Sequence, residues 1–535
     1  MPNSIFRKVP IQVQNRSGFN CSHSNTFTAK CGTLMPVLVD PLLPNTDVDL
    51  DVACEVQLPP SVSDFYGSIE ARLEMFFVPY RILWAGWQWF MISQHNMQDT
   101  PANNYSVNVK NLPQMTAPSQ LTGAGTLADM LGFKKAGSTS NVIINNPLPF
   151  LAYQMVWDKW YRDSRITAPI FVPNIAISDM FNWKNAPYNV GLSSASQSNP
   201  GTILPFTLGV AELCQLRQRC WDRDYFTNAT LEPQSGASVK LEFTGVGTPA
   251  VDDTTLVNSS FTIASLRAAN SLQQFAERNQ LAGQRYADQI FARFGCYPAD
   301  AITDRPIYLG SKRFNIYKRN VYQQAYQPEE YQQNPFSGLL ANKSTSLGGF
   351  GDGRLGSFKA TEHGFIFVMF SLVPQAVYST GCRRYLNYSK LTDFPDPLLQ
   401  GVGDQPIYDG ELTGLNGANM TNTASIFGYT QRFAEAKFMQ DEVHGLLRDG
   451  QSLSAFQLQR TFTENQELGT SFLEIPQNYL DQVTYADGSV SEFGCWCQCY
   501  FNYRKVQPLA AYSLPTLGDP KDTHTEVINN GGTRL

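Results

Sequence analysis

The chain has 535 residues, 42% of them hydrophobic, 12% aromatic and 16% charged, with a formal net charge of −6. That is enough apolar material for a large core, and the acidic balance excludes a protein that coats nucleic acid through overall positive charge. Few charges beside 34 Phe and 24 Tyr is the composition of a surface buried against partner subunits, where aromatics are enriched and charges depleted.

Residues 1–25 carry Arg7, Lys8 and Arg16 among Asn, Ser and Gln without periodicity, and are expected to form an irregular N-terminal arm. Strands are predicted at about 26–39, 47–58 and 68–80. In the second, Val48, Leu50, Val52, Cys54, Val56 and Leu58 alternate with polar residues; in the third, Ile69, Ala71, Leu73, Met75 and Phe77 alternate with Ser68, Glu70, Arg72 and Glu74. Side chains in a strand point to opposite faces in turn, so both runs read as half-buried strands. The turn Leu43-Pro44-Asn45-Thr46 precedes the second run. No helix intervenes between the three, which favours antiparallel pairing, because parallel neighbours need long crossovers.

Trp84 to Met91 forms a short, aromatic-dense helical or irregular segment. Residues 99–146 read as an external loop with a small helix near Leu127–Leu131, and Phe150–Tyr161 as a helix. Residues 184–260 are loop-like, interrupted by Leu213–Phe226 and a strand at Ser238–Phe243. The strongest helical pattern spans Ile263–Phe294, with Leu266, Ala269, Leu272, Phe275, Ala276, Tyr286, Ile290 and Phe294 as its apolar stripe, Ser265 as its cap, Gly283 as an interruption and Gly295 past its end. Strands resume at Ile307–Val321, Ser357–Thr361 and Phe365–Val373, and the last apolar run is Cys495–Leu509. Two β-rich ends around a centre of helices and loops fit one sandwich with expanded strand connections.

Several constellations have residue types that could carry chemistry. Gly351-Asp352-Gly353-Arg354-Leu355-Gly356 matches the dinucleotide fingerprint, but that site needs a strand before it and a helix after it; a flexible turn is the expectation. Ten cysteines without any C-x-x-C give no zinc framework, and Cys495, Cys497 and Cys499, on one strand face, read as small buried hydrophobes. The N-terminus lacks a long apolar segment and no run of eighteen apolar residues occurs, so folding in a reducing cytoplasm with the cysteines as thiols is expected. Five separated histidines show no ligand spacing. No catalytic residue, cofactor or metal site is predicted. In Lys312–Arg319 an extended chain places Phe314 and Ile316 on one face and Arg313, Asn315, Tyr317 and Arg319 on the other. Guanidinium groups around a tyrosine suit single-stranded nucleic acid, cations for phosphate and a ring for base stacking. Arg313, Tyr317 and Arg319, with Arg7, Lys8 and Arg16 of the arm, are the candidate nucleic-acid-binding residues; Arg383, Arg384, Arg504 and Lys505 are weaker ones.

A set of short segments runs in a consistent order along most of the chain. It comprises Ser17-Gly18-Phe19 with Phe27-Thr28-Ala29-Lys30, Leu58-Pro59-Pro60 through Asp64-Phe65-Tyr66-Gly67 to Phe76-Phe77-Val78-Pro79, and Asp224-Tyr225-Phe226-Thr227. It continues with Leu266-Arg267, Gly283-Gln284-Arg285-Tyr286, Phe294-Gly295, Arg305-Pro306-Ile307-Tyr308-Leu309-Gly310 and Thr361-Glu362-His363-Gly364-Phe365. Asp393-Phe394, Pro397-Leu398, Phe427-Gly428-Tyr429 and Arg432-Phe433-Ala434-Glu435 close it. In these the chain resembles the major capsid proteins of the Microviridae, the small single-stranded-DNA phages, and in particular their gokushovirus-like branch. It departs from that branch in the Trp-rich segment at 84–90, the Cys-rich last strand and a short stretch at 236–262 where those relatives carry a long insertion.

The resemblance implies a mainly β fold, an eight-stranded antiparallel jelly-roll sandwich with long loop and helical insertions. The expected organisation is an arm at 1–25 and a single capsid domain at 26–535, with insertions near 84–165, 184–300 and 382–490. It further implies a non-enzymatic coat subunit that self-assembles into a T=1 icosahedral shell around circular single-stranded DNA. The implied partners are copies of itself, the single-stranded DNA genome, an internal scaffolding protein, a minor pilot protein and a host-cell surface receptor. The location is the virion, assembled in the bacterial host cytoplasm. Loops at about 99–146, 236–262 and 400–425 are the expected outward surfaces. The rival is a carbohydrate-binding or carbohydrate-active jelly-roll protein, sustained by the tryptophans, although Trp84, Trp87 and Trp89 are better explained by packing under a loop. A third reading, a sequence-independent DNA-binding protein, is disfavoured by the acidic balance.

Overall fold

The computed structural model describes residues 16–59, 65–84, 115–118, 123–133, 142–170, 210–233, 270–275, 285–296, 305–323, 342–414, 426–484 and 494–511, with isolated positions between them. The period-two pattern of the second predicted strand becomes β4 (Thr46–Gln57), whose Val48, Leu50, Val52, Cys54 and Val56 are all buried. On one side of β4 lies β14 (Cys495–Gln507), with Cys54 opposite Cys499; on the other lies β10 (Asn342–Ala360). β1 (Ser17–Asn20) and β2 (His23–Ala29) both pair with β14, and β9 (Tyr317–Gln323) pairs with β10, completing a six-stranded sheet ordered β1-β14-β4-β10-β9. Ser17–Asn20 is thus a strand within the stretch read as an arm.

A second, four-stranded sheet runs β3-β11-β5-β8, from β3 (Met35–Leu42), β11 (Gly364–Pro374), β5 (Ile69–Pro79) and β8 (Ile307–Asn315). Every strand pair in both sheets is antiparallel. The main core lies between the sheets. Leu50, Val52, Cys54, Cys499 and Phe501 come from one side, and Leu73, Met75, Ile366, Val368 and Phe370 from the other. Each such side chain, fully withdrawn from water, contributes about 1.5–3 kcal/mol before entropy is set against it.

The structure corrects several expectations. Phe27–Val39 is not one strand: the chain turns at Gly32 (φ 69°), so that β2 and β3 join different sheets. A side chain at Gly32 would put its Cβ 2.5 Å from Ile475 Cβ. Nor do the three early strands pair with one another, since successive strands alternate between sheets. β5 is not half-buried: its polar face, with Arg72 and Glu74, is covered as well. The cover is a second apolar cluster in which the helix Leu148–Val156, its π-helical continuation Trp157–Tyr161 and Trp84 pack on Phe76, Val78, Phe365 and Phe367.

Ile307–Val321 is likewise two strands, because the chain leaves one sheet at Asn315, buries Ile316 and enters the other at Tyr317. The glycine-rich 351–356 run is neither turn nor cofactor loop. It lies inside the 19-residue strand β10, bulged between Arg354 and Gly356, where β10 crosses β8. The crossing needs bare backbone: a Cβ at Gly310 would sit 2.3 Å from the Leu355 carbonyl oxygen, and one at Gly351 would sit 2.4 Å from the Phe314 ring.

Of the central predictions, Leu127–Met130 and Leu148–Val156 are helical, while Leu213–Phe226 contains only the end of the short helix Val210–Leu213, followed by extended chain. In the predicted 263–294 helix, residues 270–275 and Tyr286–Phe294 are helical and Gly295 closes it with φ 70°. Ser265 and Gly283 lie outside the described residues, as does the predicted strand Ser238–Phe243. The stripe of that helix does not face the core, since Leu272, Phe275 and Phe294 are exposed. The described residues of 382–414 and 426–484 are mostly short 3-10 turns around the small sheet of β12 (Gln405–Tyr408) and β13 (Ile426–Thr430). β6 (Met115–Ala117) and β7 (Val142–Ile144) form another small pair.

Candidate nucleic-acid interface

The candidate strip begins on β8, the edge strand of the four-stranded sheet. Arg313 is exposed there and stands opposite Arg72 of β5, while Phe314 and Ile316 turn inward as the alternation requires. Arg72 is buried and donates to both oxygens of Asp222, at 2.8 and 2.5 Å, and to Glu70 at 2.9 Å. Burial opposes the charge on Arg72, but the hydrogen bonds and attraction of Asp222 and Glu70 outweigh it, so its pKa is raised. Asp222 is held below its ordinary pKa, first by the hydrogen bond from Arg72, against the opposing effect of burial, with further help from the positive charges of Arg72, Arg219 and Arg313. Arg313 therefore adds its charge at the margin of an ion-pair cluster already largely neutralised.

Tyr317 and Arg319 stand on the other sheet, with backbones opposite Gly348 and Ser346 of β10; their side chains lie outside the described residues. The strip is thus divided between two sheet edges that meet at Ile316, rather than carried on one strand. Arg16 donates to Asp47 at 2.6 Å and to the Val506 carbonyl at 3.1 Å, fixing the start of β1 to the sheet. Arg7 and Lys8 lie outside the described residues.

Beside the cluster is a cleft of about 330 Å³ walled by Glu70, Arg72, Asp222, Asp224 and Tyr378. It holds paired charges of both signs, and its Tyr378 hydroxyl donates to Asp224 at 2.6 Å. Among the described residues no group of three or more His, Cys, Asp or Glu is placed to hold a metal. Two glutamates do converge on Arg384: Glu411 at 3.0 Å and Glu435 at 3.7 Å. Burial raises the Glu411 pKa, partly offset by Arg384 and by a hydrogen bond from Tyr225. Glu435 accepts from Tyr388 and Gln405. With these acceptor sites occupied, the pair braces a turn instead of flanking a substrate. Trp84 is buried in the second cluster and Trp87 packs against it, which removes two of the tryptophans that sustained a sugar platform; Trp89 is outside the described residues.

Sequence reasoning missed these polar locks, although several coincide with the recurring segments. Asp224 accepts from the backbone of Phe226 and Thr227 and from the Tyr378 hydroxyl, which sets Phe226 into a third apolar cluster. Arg285 donates to the Arg162 carbonyl at 2.6 Å, and Arg305 lies over the Trp160 ring. Isolated Arg and Asp residues beside aromatic ones were the available signal, and it did not name their partners.

The family model for a phage capsid protein, the F protein, matches residues 7–517. Capsid protein VP1 of Chlamydia phage 1 is 24% identical over 616 aligned residues that cover 96% of this chain and 97% of the relative. Capsid protein VP1 of Bdellovibrio phage phiMH2K is 25% identical, covering 95% and 97%. Capsid protein VP1 of Spiroplasma virus 4 is 22% identical, covering 94% and 95%.

Proposed function

This chain belongs to the phage F capsid protein family and is a major capsid protein of a Microviridae-type bacteriophage, and on that premise we propose that its copies close into a small T=1 icosahedral shell around circular single-stranded DNA. The observation that carries the reading is a family match spanning nearly the whole chain. We read the eight principal strands as a jelly roll within one domain that takes in β1 and β2, with the residues ahead of β1 as an arm. Numbered along the chain as β2, β3, β4, β5, β8, β10, β11 and β14, they run 1-8-3-6 in one sheet and 2-7-4-5 in the other, which supports that topology. The sandwich is a rigid slab and its excursions supply the edges that meet neighbouring copies, so that one repeated contact closes a shell. No catalytic step is assigned.

The exposed Arg313 edge, with Tyr317, Arg319 and the arm residues Arg7, Lys8 and Arg16, is the proposed DNA contact on the inner wall. Arg16, ion-paired to Asp47, contributes least. An internal scaffolding protein, a minor pilot protein and a host-cell surface receptor are the further proposed partners, and assembly takes place in the host cytoplasm. The test is the nucleic acid inside purified particles. After external nuclease digestion, the account expects circular DNA degraded by a single-strand-specific nuclease; duplex DNA, RNA or empty particles alone would contradict it.

A further inference from the structure

The stretch at 388–402 is an exposed turn with an unusual surface. Leu391 and Leu398 are each 90% exposed and Phe394 stands beside them half in solvent. The shape is nonetheless fixed. Asp393 accepts from the backbone of Ser389 and Lys390, Asp396 from that of Leu398, Arg432 donates to the Thr392 carbonyl, and the Tyr388 ring packs against Phe394. A turn held by this many bonds presents its leucines in one arrangement and loses little entropy when they are covered.

Next to this projection is a socket of about 120 Å³. Tyr225 and Phe226 line it together with the ion-paired Arg384, Glu411 and Glu435, and Tyr385, Phe438 and Met439 stand exposed at its rim. Glu435 lines the socket and also holds Tyr388 at the base of the projection, so one braced unit carries both features. An apolar cavity of roughly 150 Å³ accepts a benzene ring, and this one is of a size for a single aliphatic side chain. Leu391, Phe394 and Leu398 on the projection and Tyr385, Phe438 and Met439 at the socket each expose roughly 400 Å², the scale of apolar patch that marks an interaction site on a protein surface.

We infer that this projection and socket form a contact between copies of the chain, a leucine of the 388–402 turn entering the socket of a neighbouring subunit. The inference rests on the shell-forming reading, which requires a self-complementary surface. An apolar projection and a socket of side-chain size, rimmed by apolar side chains with its charged residues already paired, supply one on the same chain, leaving every copy a knob to give and a hole to fill.

The test is sedimentation of the purified chain over a concentration series, for wild type, L391D/L398D, M439D at the socket rim, and F350D on the outer face of the six-stranded sheet. Wild type is expected to self-associate, and L391D/L398D and M439D to do so at least 100-fold more weakly with unchanged urea midpoints; F350D should match wild type. Equal association of L391D/L398D and wild type overturns the inference alone, as does an equal loss in F350D. A wild-type chain that stays monomeric throughout overturns the shell-forming reading and this contact with it. In intact particles carrying C296S, L391C and L398C thiols that both stay open to a maleimide also overturn the contact.

Discussion

Arg219→Met separates a buried ion pair from an ornamental one. Arg219 donates to Glu74 at 2.7 Å, and the two side chains are only 13% and 10% exposed. Tyr161 also donates to Glu74, and its own pKa is raised well above the ordinary value by burial first and by the Glu74 charge next. Without Arg219, the glutamate keeps only the Tyr161 hydroxyl in a region sealed by the π-helical turn. An uncompensated buried charge costs about 3–5 kcal/mol. The Arg354–Asp49 pair has a comparable distance, 2.9 Å, but side chains 63% and 54% exposed, so Arg354→Met should change stability by less than about 0.5 kcal/mol. Urea unfolding of the purified subunit, followed by tryptophan fluorescence, compares the two. Adding Glu74→Gln to Arg219→Met should restore about 2 kcal/mol, because the orphaned charge is gone. Equal midpoints for Arg219→Met and Arg354→Met, or no recovery in the double variant, would refute the assignment.

Gly310→Ala forces a Cβ against the Leu355 carbonyl oxygen and should cost about 1–3 kcal/mol or more, whereas Gly401→Ala, with nothing within 4 Å of its Cβ, should leave the urea midpoint unchanged. At pH 8 a thiol reagent should label exposed Cys296 quickly and leave buried Cys31, Cys54, Cys214, Cys495, Cys497 and Cys499 silent until unfolding. Burial also pushes the Cys214 pKa up to about 11, and labelling of the 495–499 thiols in folded protein would contradict the packing. Glu411 has a folded pKa above its unfolded one, so the folded chain keeps that proton longer and the group's contribution to stability declines as pH rises through the interval between the two. Glu411→Gln should flatten that part of the stability–pH curve; an unchanged slope counts against the burial. Particles of R313Q/R319Q should package less DNA while the subunit stays folded, and normal packaging would move the strip off the inner wall.

The alternation of Val48 to Val56, read from sequence, matches the buried face of β4 because one face of that strand meets water and the other meets the core. The same logic failed on β5: Arg72 and Glu74 look like a solvent face, yet each is buried with a partner from Arg219–Asp222, more than a hundred residues away. Phe27–Val39 and Ile307–Val321 looked like single strands because a sheet change needs only one turn or one buried residue, Gly32 or Ile316, and leaves the period intact. The glycine run at 351–356 reads as punctuation because the crossing strand that requires bare backbone is invisible to local pattern. For the candidate site, sequence placed Arg313 on the face opposite Phe314 and Ile316, where it is exposed, but not the ion-pair cluster at its margin, whose members come from two parts of the chain about 150 residues apart.

Electron microscopy of particles from infected or expressing cells tests the central claim most directly. The account predicts uniform, closed icosahedral particles of T=1 size whose wall is built from this chain, with the two-sheet sandwich as its slab. A chain recovered only as a monodisperse monomer under every assembly condition, or a particle wall built from another protein, would contradict it.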